Sequence, residues 1–120
     1  MSIKWQYESE GIIVFHVSGK LNVKELNQSQ MEAEKIIQKG SIKLLVFAEN
    51  FEGWDKEAGW DDLSFMDRND QFIEKMAILG DPKWEDLISA FTLKGLREFP
   101  IEFFNSEQEN QARFWLQDQS

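Results

Sequence analysis

The chain has 120 residues, 42% of them hydrophobic and 29% charged, no cysteine, and a formal net charge of −9 from 13 Lys+Arg against 22 Asp+Glu. This composition fits one globular domain over residues 1–120 that builds a core without disulfides or thiolate metal sites. It excludes a membrane span, which needs an apolar run of about 20 residues, and the acidic balance opposes nucleic acid phosphates and anionic membranes. The opening MSIKWQYESE carries no export signal, so the cytoplasm is the expected location.

Residues Ile3 to Glu8 alternate Ile3, Trp5 and Tyr7 with polar residues, as a strand with one wet face does. After Ser9-Glu10-Gly11, the apolar run from Ile12 to Val17 reads as a second strand covered on both faces, so the two form an antiparallel hairpin. Gly19 ends that strand. A helix is expected from Val23 to Gln38, with Leu26, Ala33, Ile36 and Ile37 on one side and Gly40 as its stop.

Ile42 to Ala48 is a further continuous apolar strand, and its place after a helix predicts a parallel crossover. FEGWDKEAGW, Phe51 to Trp60, sits at its C-terminal end. A helix is expected from Ala58 to about Asn69, with Asp61 and Asp62 in its first turn, followed by a strand from Ile73 to Leu79. Asp81 can cap, and Pro82 can start, a helix through Trp84, Leu87, Ile88 and Phe91. Pro100 makes the strand from Ile101 to Phe104 an edge strand or one that begins there. Ser106 and Glu109 have capping-box spacing before a last helix that carries Ala112, Trp115 and Leu116. The order predicts an α/β fold: a mixed, mostly parallel sheet of about five strands, opened by the antiparallel hairpin, with about four helices packed on it.

Four groups of residues in this order carry a resemblance. They are Phe51, Gly53 and Trp54; Ala58, Trp60 to Leu63 and Phe65; Ile73, Met76 to Asp81 and Trp84; and Phe103 or Phe104 with Ala112, Trp115 and Leu116. The set resembles the bacterial STAS/SEC14-like proteins. That resemblance implies a fold similar to the anti-anti-sigma factors and to lipid-binding CRAL-TRIO domains. Anti-anti-sigma factors carry a phosphorylated serine at the start of the helix after the strand that corresponds to Ile42 to Ala48. Here Glu49 to Asp62 contains no Ser, Thr or Tyr, and the nearest hydroxyl, Ser64, follows Asp61 and Asp62, whose charge would oppose a phosphate. A phosphoserine switch of that kind is therefore not expected.

In open α/β sheets ligands collect beyond the carboxyl ends of the parallel strands. Phe51, Trp54 and Trp60 are expected there after one strand, and Asp81, Lys83 and Trp84 after the next. Read as a site, these residues wall a pocket for a lipid-like or other hydrophobic small molecule, with Lys56 or Lys83 for a polar head. Read as packing, the aromatics fill the space between helix and sheet and Asp81 only caps. The sole histidine, His16, falls within a core strand with no Ser, Cys or His partner in a recognisable motif, and is expected to be a satisfied core residue. Asp55, Glu57, Asp61 and Asp62 lack EF-hand spacing and read as a solvated acidic turn. No catalytic residues, metal ligands or cofactor are expected. The expected function is a non-enzymatic binding domain for a hydrophobic small molecule or a protein partner. The alternative is a regulatory interaction module that works through homodimerisation or a partner switch.

Overall fold

Strands β1 (Ile3–Glu8) and β2 (Ile12–Val17) form the antiparallel hairpin, with Trp5 opposite Phe15. This computed structural model describes residues 3–56, 59–60 and 64–118. Gly11 in the hairpin turn has φ +77, and a Cβ there would lie 2.8 Å from the Ser41 carbonyl oxygen. The close approach lets the Gly11 carbonyl accept from Lys43 N–H at 2.9 Å, which seats the next strand beside the hairpin.

That next strand, β4 (Ile42–Ala48), lies parallel to β2. β6 (Ile73–Gly80) and β7 (Ile101–Asn105) continue the sheet in parallel, giving the order β1-β2-β4-β6-β7. β7 is an edge strand that begins right after Pro100, as the missing N–H requires. The expected mixed five-stranded sheet with its antiparallel hairpin is therefore present.

Alternation along the strands divides the core in two. On the first face Phe15, Leu44, Met76 and Ile78 pack with Ala33 and Ile37 of helix α1 (Val23–Ile37) and Ile88 of α3 (Glu85–Phe91). Phe65 of α2 (Ser64–Asn69) joins them. On the second face Ile12, Val14, Leu45, Phe47, Ala77 and Leu79 meet Ala112 and Leu116 of α4 (Glu109–Gln117). Lys75 fastens α4 from below: its ammonium donates to the carbonyls of Trp115 at 2.8 Å and Asp118 at 2.7 Å, where the helix leaves its last acceptors open.

Three expectations are corrected. First, Phe51 to Trp54 is not a loop but strand β5 (Phe51–Trp54), which pairs in parallel with β3 (Gly19–Leu21) in a separate two-stranded sheet. Gly19 therefore opens a strand as well as ending one. Second, His16 is exposed and stacks on Phe47, with ring centroids 4.7 Å apart and planes at 8°. α4 lies over β6, β7 and β4, so the second face of the hairpin stays open there and β2 is not covered on both sides along its whole length. Third, the capping box does not form. The residue before α4 is Gln108, whose side chain accepts from Asn105 N–H at 2.8 Å, while Asn105 Oδ1 accepts from Glu107 N–H at 3.1 Å and Glu109 pairs with Arg113. The asparagine turn is held by its own local bonds to Glu107 and Gln108 instead.

Of the expected helix from Ala58, Gly59 and Trp60 form a turn, helix begins at Ser64, and Glu57, Ala58, Asp61, Asp62 and Leu63 lie outside the described residues. The last six of its expected positions, Ser64 to Asn69, are helical, and a 3₁₀ turn over Asp70–Phe72 leads into β6.

Candidate functional site: an aromatic ridge beside an apolar cavity

The β3–β5 ribbon sits where β4 ends. Its hydrogen bonds, Gly19 N–H to Asn50 O and Asp55 N–H to Leu21 O, both at 3.0 Å, hold Phe51 and Trp54 against the first face of the sheet. From there a run of ring contacts extends in both directions. Trp84 meets Phe51 edge-on at 5.1 Å, Phe51 meets Trp54 at 5.2 Å with planes at 88°, Trp54 tilts against Phe91 at 5.0 Å, and Phe91 meets Trp60 at 5.5 Å. Edge-to-face geometry at these distances adds attraction beyond buried area, about 0.5–1.5 kcal/mol per pair. Trp60 is fixed further by donating Nε1–H to the Asp55 carbonyl at 2.9 Å. Trp54 differs: its Nε1–H is buried and has no acceptor among the described residues.

Beneath this ridge lies a cavity of about 140 Å³ between the first face of the sheet and helices α1, α2 and α3. Its lining is apolar except for Gln30, Thr92 and Arg97. The floor is the row Phe15, Val46 and Ile78, adjacent across β2, β4 and β6. Val46 is informative. It lies near the middle of the central strand, flanked by strands on both sides, yet it is only half-buried, whereas Leu45 is fully buried and Ala48 nearly so. The remaining surface of Val46 faces the cavity it lines.

The polar margin is already committed. Arg97 donates Nε–H and an Nη2–H to the two oxygens of Asp70 at 2.9 and 2.6 Å and an Nη1–H to the Thr92 carbonyl at 3.3 Å, and its guanidinium lies 4.6 Å from the Phe99 ring centre. The Thr92 hydroxyl donates back to the carbonyls of Ile88 and Ser89. On the opposite wall, α2 is tied to α1 through Glu34, which accepts from Arg68 Nε at 2.8 Å and Asn69 Nδ2 at 2.7 Å. These donors, Arg68 first, hold the Glu34 carboxyl below the usual glutamate range.

The six residues expected at the strand ends separate into three groups. Phe51 and Trp54 line the cavity. Trp84 and Trp60 occupy the two ends of the ridge without lining it. Asp81 and Lys83 are exposed: Asp81 caps the 3₁₀ turn Pro82–Trp84 by accepting from Lys83 N–H at 3.0 Å, and Lys83 Nζ lies 6.0 Å from the Trp84 ring centre. Lys56 is exposed as well. Sequence reasoning did not assign Phe91, Met66 or Arg97 to the site. Phe91 follows Ile88 by three positions, the spacing of one helix face, and that signal was available. Arg97 had none, because its partner Asp70 is 27 residues away.

Among the described residues no group of three His, Cys, Asp or Glu side chains is placed to hold a metal ion, and no helix is long and apolar enough to cross a membrane.

A family profile described as SpoIIAA-like matches residues 12–117. The chain belongs to the SpoIIAA-like family. Two solved structures are similar to it at the level of fold. One is an uncharacterised protein of the DUF3478 family with a SpoIIAA-like fold from Shewanella loihica PV-4, with 18% identity, 95% of this chain and 91% of that chain covered, and a TM-score of 0.65. The other is the anti-sigma factor antagonist SpoIIAA in its unphosphorylated form, with 12% identity, 94% and 97% covered, and a TM-score of 0.61. Among curated proteins none matches the chain. The likeness to anti-anti-sigma factors expected from the motifs is borne out. In this SpoIIAA-like chain Ser64 is exposed and is the first residue of α2.

Proposed function

We propose that this SpoIIAA-like domain is a non-enzymatic binding module that holds a hydrophobic small molecule in the cavity under the Phe51–Trp54 ridge. The observation that carries this reading is the half-buried Val46 at the centre of the sheet. Close-packed cores leave few voids larger than a water molecule, because a void forfeits the dispersion contacts of everything that lines it. An apolar cavity that persists in the one place where strands and three helices converge is the kind of feature a ligand fills. Native mass spectrometry of the purified protein, followed by denaturing extraction, tests it. A stoichiometric apolar molecule released from the wild type and missing from Val46→Phe supports the reading; an empty wild type that no apolar compound stabilises overturns it.

A second reading, a regulatory module that contacts a protein partner or a second copy, is favoured by the fold-level likeness to an anti-sigma factor antagonist. Sedimentation over a concentration series addresses the homodimer, and a strict monomer at all concentrations removes it.

A further inference from the structure

Resting on the proposed cavity reading, we infer that the ligand is a neutral, ring-sized hydrophobic molecule and not an anionic long-chain lipid. Size is the first argument. An apolar cavity of about 150 Å³ takes benzene or xenon, and this one, open on one side, offers about 140 Å³. Such a space accommodates a compact molecule on the order of six to ten heavy atoms. A sixteen-carbon chain exceeds this volume, so most of it would be left outside in water, where its apolar surface gains little.

Charge is the second argument. Among the described residues that line the cavity the one cationic group is Arg97, and Asp70 already meets it with both carboxylate oxygens. An incoming carboxylate would be taken out of water with no free cation to receive it, and burying an unpaired charge is costly. The net charge of −9 opposes its approach as well. What the lining leaves unpaired is neutral: the Gln30 amide has no hydrogen-bond partner among the described residues. One uncharged oxygen on the ligand suits that amide.

The test is a heteronuclear NMR titration of the full chain with four probes: benzene, benzyl alcohol, benzoate and hexadecanoate. We expect saturable shifts at Phe15, Val46, Trp54 and Ile78 from benzene and benzyl alcohol, at least about tenfold weaker binding of benzoate than of benzyl alcohol, and no response at these residues to hexadecanoate. Val46→Phe should lose the benzene response. A xenon-129 shift with the wild type that benzene abolishes reads the same space without any variant, so the result does not depend on how Val46→Phe folds. Tighter binding of hexadecanoate or benzoate than of the neutral rings overturns this inference and leaves the cavity reading standing. No response to any probe or to xenon overturns both.

Discussion

The indole of Trp84 lies over Gly53: a Cβ on that glycine would come within 3.7 Å of the ring. That is ordinary contact distance, so the space alone would admit alanine. The backbone would not, because Gly53 has φ +103, a conformation that a side chain makes costly. Gly53→Ala should lower stability by about 1–3 kcal/mol in urea unfolding. Gly95→Ala, at φ +87 with nothing within 4 Å, should cost a similar amount; a neutral Gly95→Ala beside a costly Gly53→Ala would mean that crowding against Trp84, and not strain, is the cause.

Adjacent residues of β4 should respond differently to truncation. Leu45 faces α4 and is fully buried, so Leu45→Ala removes packed methyl groups and opens a new void at about 2–5 kcal/mol. Val46 already borders empty space, so Val46→Ala should cost about 1 kcal/mol or less. Equal losses in guanidinium unfolding would mean that Val46 is as tightly packed as its neighbour.

Asn22 caps α1 by accepting from Lys24 N–H at 2.9 Å and Glu25 N–H at 3.1 Å, and its amide donates to Asp55 at 3.5 Å. Asn22→Ala should lower stability by about 1 kcal/mol. Asn22→Asp keeps the cap but sets a second carboxylate facing Asp55, so it should fall between wild type and alanine, and this difference should shrink as salt is added.

Acid should weaken the fold through two glutamates. Arg113 holds the Glu8 carboxyl below its usual range by hydrogen bonding, and Arg68 with Asn69 does the same for Glu34. A carboxyl whose folded value is depressed stabilises the native state above its unfolded value and loses that contribution as pH falls through the folded one. Urea midpoints should therefore be steady from pH 7 to about 5 and decline below about 4.5, and the decline should be shallower in the Glu8→Gln, Glu34→Gln double variant. An unchanged slope in that variant would place the acid-sensitive groups elsewhere.

Much of the fold is legible in the order of residues because strong signals are local. The runs Ile12 to Val17 and Ile42 to Ala48 are strands at those bounds, and Asp81 with Pro82 starts a turn of helix as their chemistry requires. The β3–β5 ribbon is not legible. Three residues, Gly19 to Leu21, show no period, and they become a strand only because FEGW lies alongside them. His16 shows the reverse failure: an apolar run says that a strand is buried but not how far one helix reaches across its face. At the site, the aromatic ridge could be read from Phe51, Trp54, Trp60 and Trp84. The cavity could not, since an empty volume belongs to the meeting of Leu26, Phe65 and Phe91 from three separate helices.

Three small residues of the cavity lining carry a consequence for how such domains diverge. Val17, Val46 and Ala48 are small residues of the sheet that line the cavity. A larger side chain at any of them would narrow that space. On the proposed reading, relatives that differ only at these lining positions would differ in which molecule fits, with the order of strands and helices unchanged.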